Sequence, residues 1–369
     1  MMRAYDLIVI GGGLVGAAIA WGAARQGASV ALIDEGDIAY RAARGNFGLV
    51  WVQSKGLGNP AYAHWSRRSA EVWPQLSEAL GGRVALRQNG GFTFCLSDAE
   101  FEQRAALVTR MHNESGGIGT RMICRDDLRA MLPAIGDRVV GAAFCPADGH
   151  ANPLLLLQSL QSGMTGHGGD YLPGRTVDDI AYDGGFTVTC GAERFLSDKI
   201  VIAAGLGSRI LAPMVGLSMP VTPLKGQILI TERLRPFLDH ATHITRQTDE
   251  GSVMMGDSLE DAGFDISSTV GVLKDIAARN MAVFPGLRDA NIVRVWAALR
   301  VMSPDGAPIY EQSETCPGAF SATCHSGVTL AGAHALDIAP AILKGELPEA
   351  VASFAAGRFA QGAGHVQAF

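Results

Sequence analysis

Residues 5–16 read YDLIVIGGGLVG and place Gly11, Gly13 and Gly16 in G-x-G-x-x-G spacing directly after an apolar run. A short apolar run that ends at glycines predicts a strand buried on both faces, and the pattern from Leu14 onward predicts a helix. Such a turn lets backbone approach a pyrophosphate, while the helix start directs N–H groups and a positive dipole end toward it. The stretch therefore predicts the first strand and helix of a dinucleotide-binding fold.

A second predicted strand, residues 29–33, leads into Asp34 and Glu35. The acidic pair lies about twenty residues beyond the glycines, where a carboxylate accepts hydrogen bonds from ribose hydroxyls. This unit alone does not separate NAD from FAD, because both present an ADP moiety to the same fold. The residues expected to contact the ADP moiety are Gly11, Gly13, Leu14, Val15, Gly16, Asp34 and Glu35.

Length, charge and cysteine usage narrow the class of protein. A chain of 369 residues is too long for one compact core of average size, so two domains are expected. The formal charge of −6 offers no basic surface for nucleic acid. The cysteines form no CxxC pair and the histidines show no metal-ligand spacing, so no metal site is expected.

The N-terminal region bears on localisation. It lacks the pattern of a signal peptide, which favours a reducing cytoplasm. Residues 7–24 carry no charge and are about as long as a membrane span. The glycines in their middle instead favour a buried strand, a turn and a buried helix, so no integral membrane segment is expected.

Three further segments carry a family resemblance: residues 41–50 (RAARGNFGLV), residues 201–208 (VIAAGLGS) and residues 324–330 (CHSGVTL). With the glycine motif, they resemble the D-amino-acid oxidase superfamily of flavoproteins, which includes glycine oxidase and sarcosine oxidase, over nearly the whole chain. Within it, RGNFGLVWVQSKG, PAYAHWSRRSAEVWP and CHSGVTLA are most similar to catalytic β subunits of bacterial opine oxidases and D-hydroxyproline dehydrogenases.

The resemblance implies a cofactor and partners. The cofactor would be FAD, bound noncovalently because Val301, Met302 and Ser303 follow Arg300 and no cysteine stands at the linking position of sarcosine oxidases. The partners would be other subunits of a soluble heteromeric complex, with FMN at a subunit interface and an iron–sulfur cluster on partner subunits rather than in this chain.

The resemblance also assigns residues to FAD. Those expected along the pyrophosphate and flavin are Arg41, Ala43, Arg44, Gly45, Asn46, Gly48 and Leu49. Val177 matches the residue whose backbone touches adenine, and Ala203, Ala204 and Gly205 match a turn that supports the dinucleotide from its far side. The loop expected to offer backbone N–H groups to the flavin ring comprises Ser326, Gly327, Val328, Thr329 and Leu330.

Two residues are expected on the substrate side. Residues 295–300 (VWAALR) form an alternating apolar strand that ends in Arg300 before the turn of residues 303–309. The resemblance gives Arg300 the role of gripping a substrate carboxylate as a bidentate fork, which lysine cannot reproduce. It also places Arg300 among the cofactor-binding residues. A surface salt bridge is the alternative for Arg300. His325 either touches substrate or packs as a buried structural side chain.

These motifs predict an α/β (α+β) fold, with a Rossmann-like FAD/NAD(P)-binding domain of the glutathione-reductase type and a substrate domain built on an antiparallel sheet. The predicted FAD domain comprises residues 1–85, 145–220 and 300–369, and the substrate domain comprises residues 86–144 and 221–299. Strands at residues 91–96, 227–231 and 253–256 suit the antiparallel sheet.

The resemblance implies oxidation of the secondary amine of an opine, octopine or nopaline, to an imine that hydrolyses to an amino acid and a 2-oxo acid. D-Hydroxyproline, another cyclic or N-substituted amino acid, glycine or sarcosine are alternative substrates. A flavin-binding subunit without chemistry and a nicotinamide dehydrogenase are alternatives of other classes. Arg300 and the CHSGVT loop argue against both.

Overall fold

The computed structural model describes residues 3–36, 42–43 and 45–360. Its strands are β1 (Arg3–Ile10), β2 (Val30–Ile33), β3 (Leu49–Val50), β4 (Gly91–Cys95), β5 (Arg121–Cys124), β6 (Gly141–Cys145), β7 (Gly149–His150), β8 (Asp170–Leu172), β9 (Asp179–Tyr182), β10 (Phe186–Cys190), β11 (Glu193–Ile202), β12 (Thr222–Arg233), β13 (Ala241–Thr242), β14 (Thr245–Gln247), β15 (Ser252–Met255), β16 (Ile292–Met302), β17 (Ile309–Gln312) and β18 (Ala319–Thr323). Its helices are α1 (Leu14–Ala24), α2 (Pro60–Ala79), α3 (Asp98–Ser115), α4 (Arg125–Met131), α5 (Pro153–Gly166), α6 (Ser208–Leu211), α7 (Val270–Val283), α8 (Ala331–Ala333) and α9 (Ala339–Lys344). A π-helical turn, His334–Ile338, joins the last two.

The largest sheet is built around β1. Its strand order is β17-β18-β11-β1-β2-β8, and β10 and β9 extend it from β11. β1 pairs in parallel with both β2 and β11, so its last four residues are buried on both faces. This burial explains the uninterrupted apolar run read from the sequence. The predicted α/β fold with a Rossmann-like sheet is confirmed.

Two smaller sheets form the substrate side. One has the order β13-β4-β6-β5 and the other the order β14-β15-β12-β16. The sequence predicted one antiparallel sheet, and the chain changes sheets between β13 and β14. Thr242 makes that bend, because its hydroxyl donates to the carbonyl of Thr245 and accepts from the Thr245 N–H, both at 2.7 Å. Side chains of both sheets, among them Phe92 and Leu229, pack into one apolar core.

The predicted domain boundaries fall close to strand ends. β6 ends at Cys145 and β12 begins at Thr222. β16, however, continues past Arg300 to Met302, because its last residues still pair with the start of β12. Arg300 therefore lies inside a long paired strand opposite Leu224, rather than at a strand terminus, and its backbone is held on the substrate sheet.

No helix in the described ranges is long and apolar enough to span a membrane.

Candidate active site

The turn between β1 and α1 forms a narrow cradle. A Cβ atom on Gly11, whose φ is +108°, would lie 2.4 Å from the carbonyl oxygen of Ala203, and one on Gly16 would lie 1.9 Å from the carbonyl oxygen of Gly11. Gly13, in contrast, has no protein atom within 4 Å of its Cβ position, and no side chain caps the helix that it precedes. The outer glycines therefore pack the turn, while the middle one faces open space at a helix start, where a pyrophosphate fits.

Asp34 closes one side of this cradle. Its Oδ2 accepts from the N–H of Gly12 at 2.6 Å, and its Oδ1 accepts from the N–H of Gly36 at 2.9 Å. Its carbonyl accepts from the N–H of Arg175 at 2.9 Å, which brings the buried Val177 to the same end of the sheet. A carboxylate oxygen has two lone pairs, so a ribose contact would not require these bonds to break.

Ala203, Ala204 and Gly205 lie on the opposite side of the glycine turn. The N–H of Ala203 donates to the carbonyl of Ile10 at 2.8 Å, and Ala204 also lies against the Cβ position of Gly11. Gly205 has a φ of +57°, which starts the turn after β11. The segments that follow β2 and β11 therefore lie on either side of the start of α1.

The loop of residues 324–330 lies between α1 and the chain that follows β3. Thr329 ties it there, because its hydroxyl donates to the carbonyl of Leu49 and accepts from the N–H of Trp51, both at 3.1 Å. Among the described residues, the N–H groups of Gly327, Val328 and Thr329 have no acceptor. Val328 and Thr329 line a cavity, and unpaired backbone donors there could stabilise the negative charge of a reduced flavin.

The remaining predicted cofactor residues divide between the cavity and the core. Asn46 accepts from the N–H of Gly48 at 2.7 Å, and Gly48 packs against Ala151. Leu330 is fully buried and its N–H already donates to Ser326, so this residue offers no donor to the cofactor. Arg41 and Arg44 lie outside the described residues.

A cavity of about 360 Å³ opens beside this loop, a size typical of small-molecule sites. The predicted residues that line it are Gly45, Asn46, Leu49, Arg300, His325, Ser326, Val328 and Thr329. The predicted residues that do not line it are Gly11, Gly13, Leu14, Val15, Gly16, Asp34, Glu35, Ala43, Gly48, Val177, Ala203, Ala204, Gly205, Gly327 and Leu330. The predicted residues thus form two groups, one around the glycine turn, where the ADP moiety is expected, and one in the cavity, where the flavin ring is expected.

Arg300 projects from β16 into the cavity. Its Nη1 donates to the carbonyl of Ser258 at 2.8 Å and to that of Lys225 at 3.3 Å, and its guanidinium lies across Gly226. It forms no salt bridge with any described residue, and Asp257 attracts it only at longer range. Burial lowers the pKa of this guanidinium, which stays charged because arginine titrates far above neutrality. Its other donors are therefore available to an anionic ligand.

His325 lies in the same wall. Burial, followed by the charges of Lys55 and Arg300, lowers the pKa of its imidazole well below the usual value, so the ring is neutral. Its Nδ1 lies 3.3 Å from the hydroxyl of Ser326, which in turn lies 2.9 Å from the hydroxyl of Tyr62. A neutral imidazole oriented by hydroxyls can accept a proton or a hydrogen bond from a ligand.

Several cavity residues were not singled out from the sequence, namely Lys55, Tyr62, Arg104, His243 and Asp257. Lys55 had one available signal, since it lies two residues after the buried VWVQ of residues 50–53, within a segment that carries the family resemblance. Tyr62 had the same signal, because it lies in the resembling segment of residues 60–74, whereas Arg104, His243 and Asp257 lie outside the resembling segments.

Asp257 follows β15 and has a φ of +86°, a backbone conformation that favours glycine. Enclosure by protein raises the pKa of its carboxyl to about 6, while the charge of Arg300 opposes that rise. We expect Asp257→Ala to unfold more easily than Asp257→Gly by about 1 kcal/mol, because only alanine keeps the left-handed strain. Both variants remove the carboxylate, so a loss of activity common to both measures its role.

Urea unfolding of both Asp257 variants gives the difference in stability. The matched control is Ala85, the other described non-glycine residue with positive φ, at +51°. Ala85→Gly should be neutral or stabilising with unchanged activity, since Ala85 does not line the cavity. Equal free energies of unfolding for Asp257→Ala and Asp257→Gly would contradict the claim that the backbone at residue 257 is strained.

The described residues hold no group of three or more His, Cys, Asp or Glu side chains placed to bind a metal ion. All six cysteines are free.

The sequence and the structure both match known proteins. A family model described as FAD dependent oxidoreductase matches residues 6–340. Two opine oxidase subunits, one from Rhizobium meliloti and one from Agrobacterium tumefaciens, are each 44% identical over 365 residues, which cover 97% of this chain and 98% of theirs. Glycine oxidase from Geobacillus kaustophilus has a crystal structure that shares the fold, with a TM-score of 0.88 at 23% identity over 96% of this chain and 98% of that chain.

Proposed function

The chain belongs to the family of FAD-dependent oxidoreductases, and on that premise we propose that it is the catalytic β subunit of an opine oxidase or dehydrogenase. Its reaction is oxidation of the secondary amine C–N bond of an opine such as octopine or nopaline. The observation that carries the proposal is Arg300, a guanidinium without a salt-bridge partner among the described residues, in a cavity that the 324–330 loop also lines. Two relatives that are 44% identical are opine oxidase subunits, which supports this substrate class.

The residues present fit FAD. The ADP half would lie on the glycine turn beside Asp34, and the ring would lie against the free N–H groups of the 324–330 loop. The chemistry that FAD supplies when bound is acceptance of hydride from the carbon next to the amine, which leaves an imine that water hydrolyses to an amino acid and a 2-oxo acid. No cysteine is among the described residues that line the cavity, which supports noncovalent binding.

The residues of this chain position the substrate. Arg300 would bind the carboxylate on the carbon to be oxidised, which fixes the direction of its C–H bond. His325 would hold the amine N–H through its neutral ring, with Ser326 and Tyr62 fixing the ring. The enclosed cavity lowers the pKa of a bound amine by desolvation, so that its lone pair is free.

The two opine oxidase relatives are themselves subunits, and we extend this to the chain as one component of a heteromeric complex. Any FMN would then lie at a subunit interface and any iron–sulfur cluster on a partner subunit. Purification of the chain together with candidate partner subunits, followed by flavin and iron analysis of each component, tests this part of the proposal.

Anaerobic mixing of the purified complex with candidate substrates tests the function. We expect octopine or nopaline to bleach the visible flavin band, because only a turned-over amine delivers hydride to the cofactor. Bleaching by D-hydroxyproline, sarcosine or glycine, but by no opine, would move the assignment to that alternative substrate. A yellow protein that none of these compounds bleaches would favour a flavin-binding subunit without chemistry.

A further inference from the structure

We infer that Lys55 binds a second substrate carboxylate, so that the cavity is built for amines with a carboxylate on each of the two carbons that flank the nitrogen. This inference rests on the proposed function, because it assumes that the cavity beside Arg300 is where the amine binds. It adds a specificity residue to which neither the sequence motifs nor the family match gave a role.

The placement of Lys55 is defined by the chain around it. Its N–H donates to the carbonyl of Val52 at 3.0 Å, which forms a turn directly after the buried segment. Its amine lies 6.0 Å from the centre of the Tyr62 ring, and both side chains line the cavity. The aromatic ring therefore holds the amine at the cavity wall, where it can reach a ligand.

No protein carboxylate neutralises this amine. Among the described residues, Lys225 is the only lysine that forms salt bridges, with Glu260 and Asp265. Asp148 attracts Lys55 only at longer range, and its own oxygens accept from Val52 and Gln53. An enclosed cation without a counter-ion is unfavourable, and burial lowers the pKa of the amine to about 8. An anionic ligand would remove this penalty.

The rest of the cavity wall is also short of negative charge. Arg104 donates to Gln53 and Thr93 but forms no salt bridge among the described residues, and Arg300 forms none either. Of the two carboxylates in the wall, Asp305 pairs with Arg358 and only Asp257 is left to balance the cations. The charge of the wall favours a substrate that carries more than one carboxylate.

Lys55 and Arg300 line the same cavity, and His325 lies in its wall with them. In keeping with this, both charges lower the pKa of His325. In an N-(carboxyalkyl) amino acid, the two carboxylates are attached to the carbons on either side of the amine. Binding one at Arg300 and the other at Lys55 would place the amine near His325, between the two anchors.

Two ethers that the enzyme cannot oxidise show whether Lys55 recognises a second carboxylate. Oxydiacetate has a carboxylate on each carbon beside its oxygen, and methoxyacetate has only one. Titration of the FAD-loaded complex, followed by the shift of the flavin absorbance, gives both dissociation constants. We expect Lys55→Met to weaken oxydiacetate binding about 10- to 30-fold, the loss of one charged contact, and methoxyacetate binding less than about twofold.

Further variants exclude a merely structural effect. Lys55→Arg should restore most of the oxydiacetate affinity, because it keeps the charge, and Lys274→Met on the exposed face of α7 should match the unchanged protein. Equal weakening of both ethers by Lys55→Met would overturn the inference, since a distorted wall does not discriminate between them. An unchanged dissociation constant for oxydiacetate would overturn it as well.

The titration tests the role of Lys55 and the turnover test probes the proposed function, and either can be contradicted without the other. Binding of oxydiacetate needs no oxidation, so a Lys55-dependent affinity stands even where no opine bleaches the flavin, and then only the proposed function falls. Conversely, an opine that bleaches the flavin equally well in Lys55→Met, with an unchanged KM, would preserve the proposed function and defeat the role of Lys55.

Discussion

Arg300→Met is expected to lower kcat/KM for the opine that bleaches the flavin by about 100- to 1,000-fold, mainly through a higher KM. Each hydrogen bond to a charged group contributes about 1.5–3 kcal/mol. A guanidinium can donate two such bonds to the same carboxylate. At about 1.4 kcal/mol per tenfold, the loss of both reaches this range. Steady-state kinetics over a wide range of substrate concentration measure it.

The fold and the cofactor should survive this substitution. Within the described residues, the side chain of Arg300 bonds only to the carbonyls of Ser258 and Lys225, and water in the cavity can replace it at Ser258. The glycine turn that would hold the ADP half is formed by other elements, so the flavin-to-protein ratio should not change. A fall in flavin content would point to a structural role for the guanidinium instead.

Two further variants define the role of Arg300. Arg300→Lys should recover only part of the loss, because an ammonium is a point charge that cannot form a planar fork. Arg294→Met is the matched control on the same strand, where the guanidinium stacks over Trp296 in an exposed stretch of β16. Kinetics of Arg300→Met that match those of Arg294→Met would remove the anchor from the proposed mechanism.

The strand, glycine turn and helix at the start of the chain could be predicted from the sequence because their determinants are local. Gly11, Gly13 and Gly16 lie close together in the sequence, and their spacing after an apolar strand is enough to predict the turn. Asp34 follows the next strand of the same unit, and parallel pairing of the strands brings it to the glycines. Pattern and spacing are sufficient where neighbours in the fold are also neighbours in the sequence.

The substrate end was only partly predictable because its walls come from distant segments. Family resemblance pointed to Arg300 and His325, but Lys55 meets them only where the segment before α2, β16 and the 324–330 loop line one cavity. Nothing in the local sequence marks Asp257, whose strained backbone depends on the turn after β15. The division of the substrate side into two sheets was missed for the same reason, since it depends on a bend at Thr242.

Gly13→Ala and Gly16→Ala are expected to fail in different ways, which tests the cofactor cradle apart from any activity. The methyl group of Gly13→Ala meets no protein atom, so the FAD-free protein should lose less than about 1 kcal/mol of stability. The same methyl enters the space where backbone must approach the pyrophosphate. We therefore expect FAD affinity to fall about 100-fold or more, equivalent to about 3 kcal/mol.

Gly16→Ala should instead destabilise the protein with or without FAD, by about 1–3 kcal/mol or more, because its methyl meets the Gly11 carbonyl and the side chain of Val9. Gly271→Ala in α7 is the matched control, since its Cβ position is open and alanine favours a helix. Thermal unfolding of the FAD-free proteins and fluorescence titration with FAD give both quantities. Normal FAD affinity in Gly13→Ala would mean that the phosphates do not lie on this turn, and the assignment of the glycine turn to the ADP moiety would have to be withdrawn.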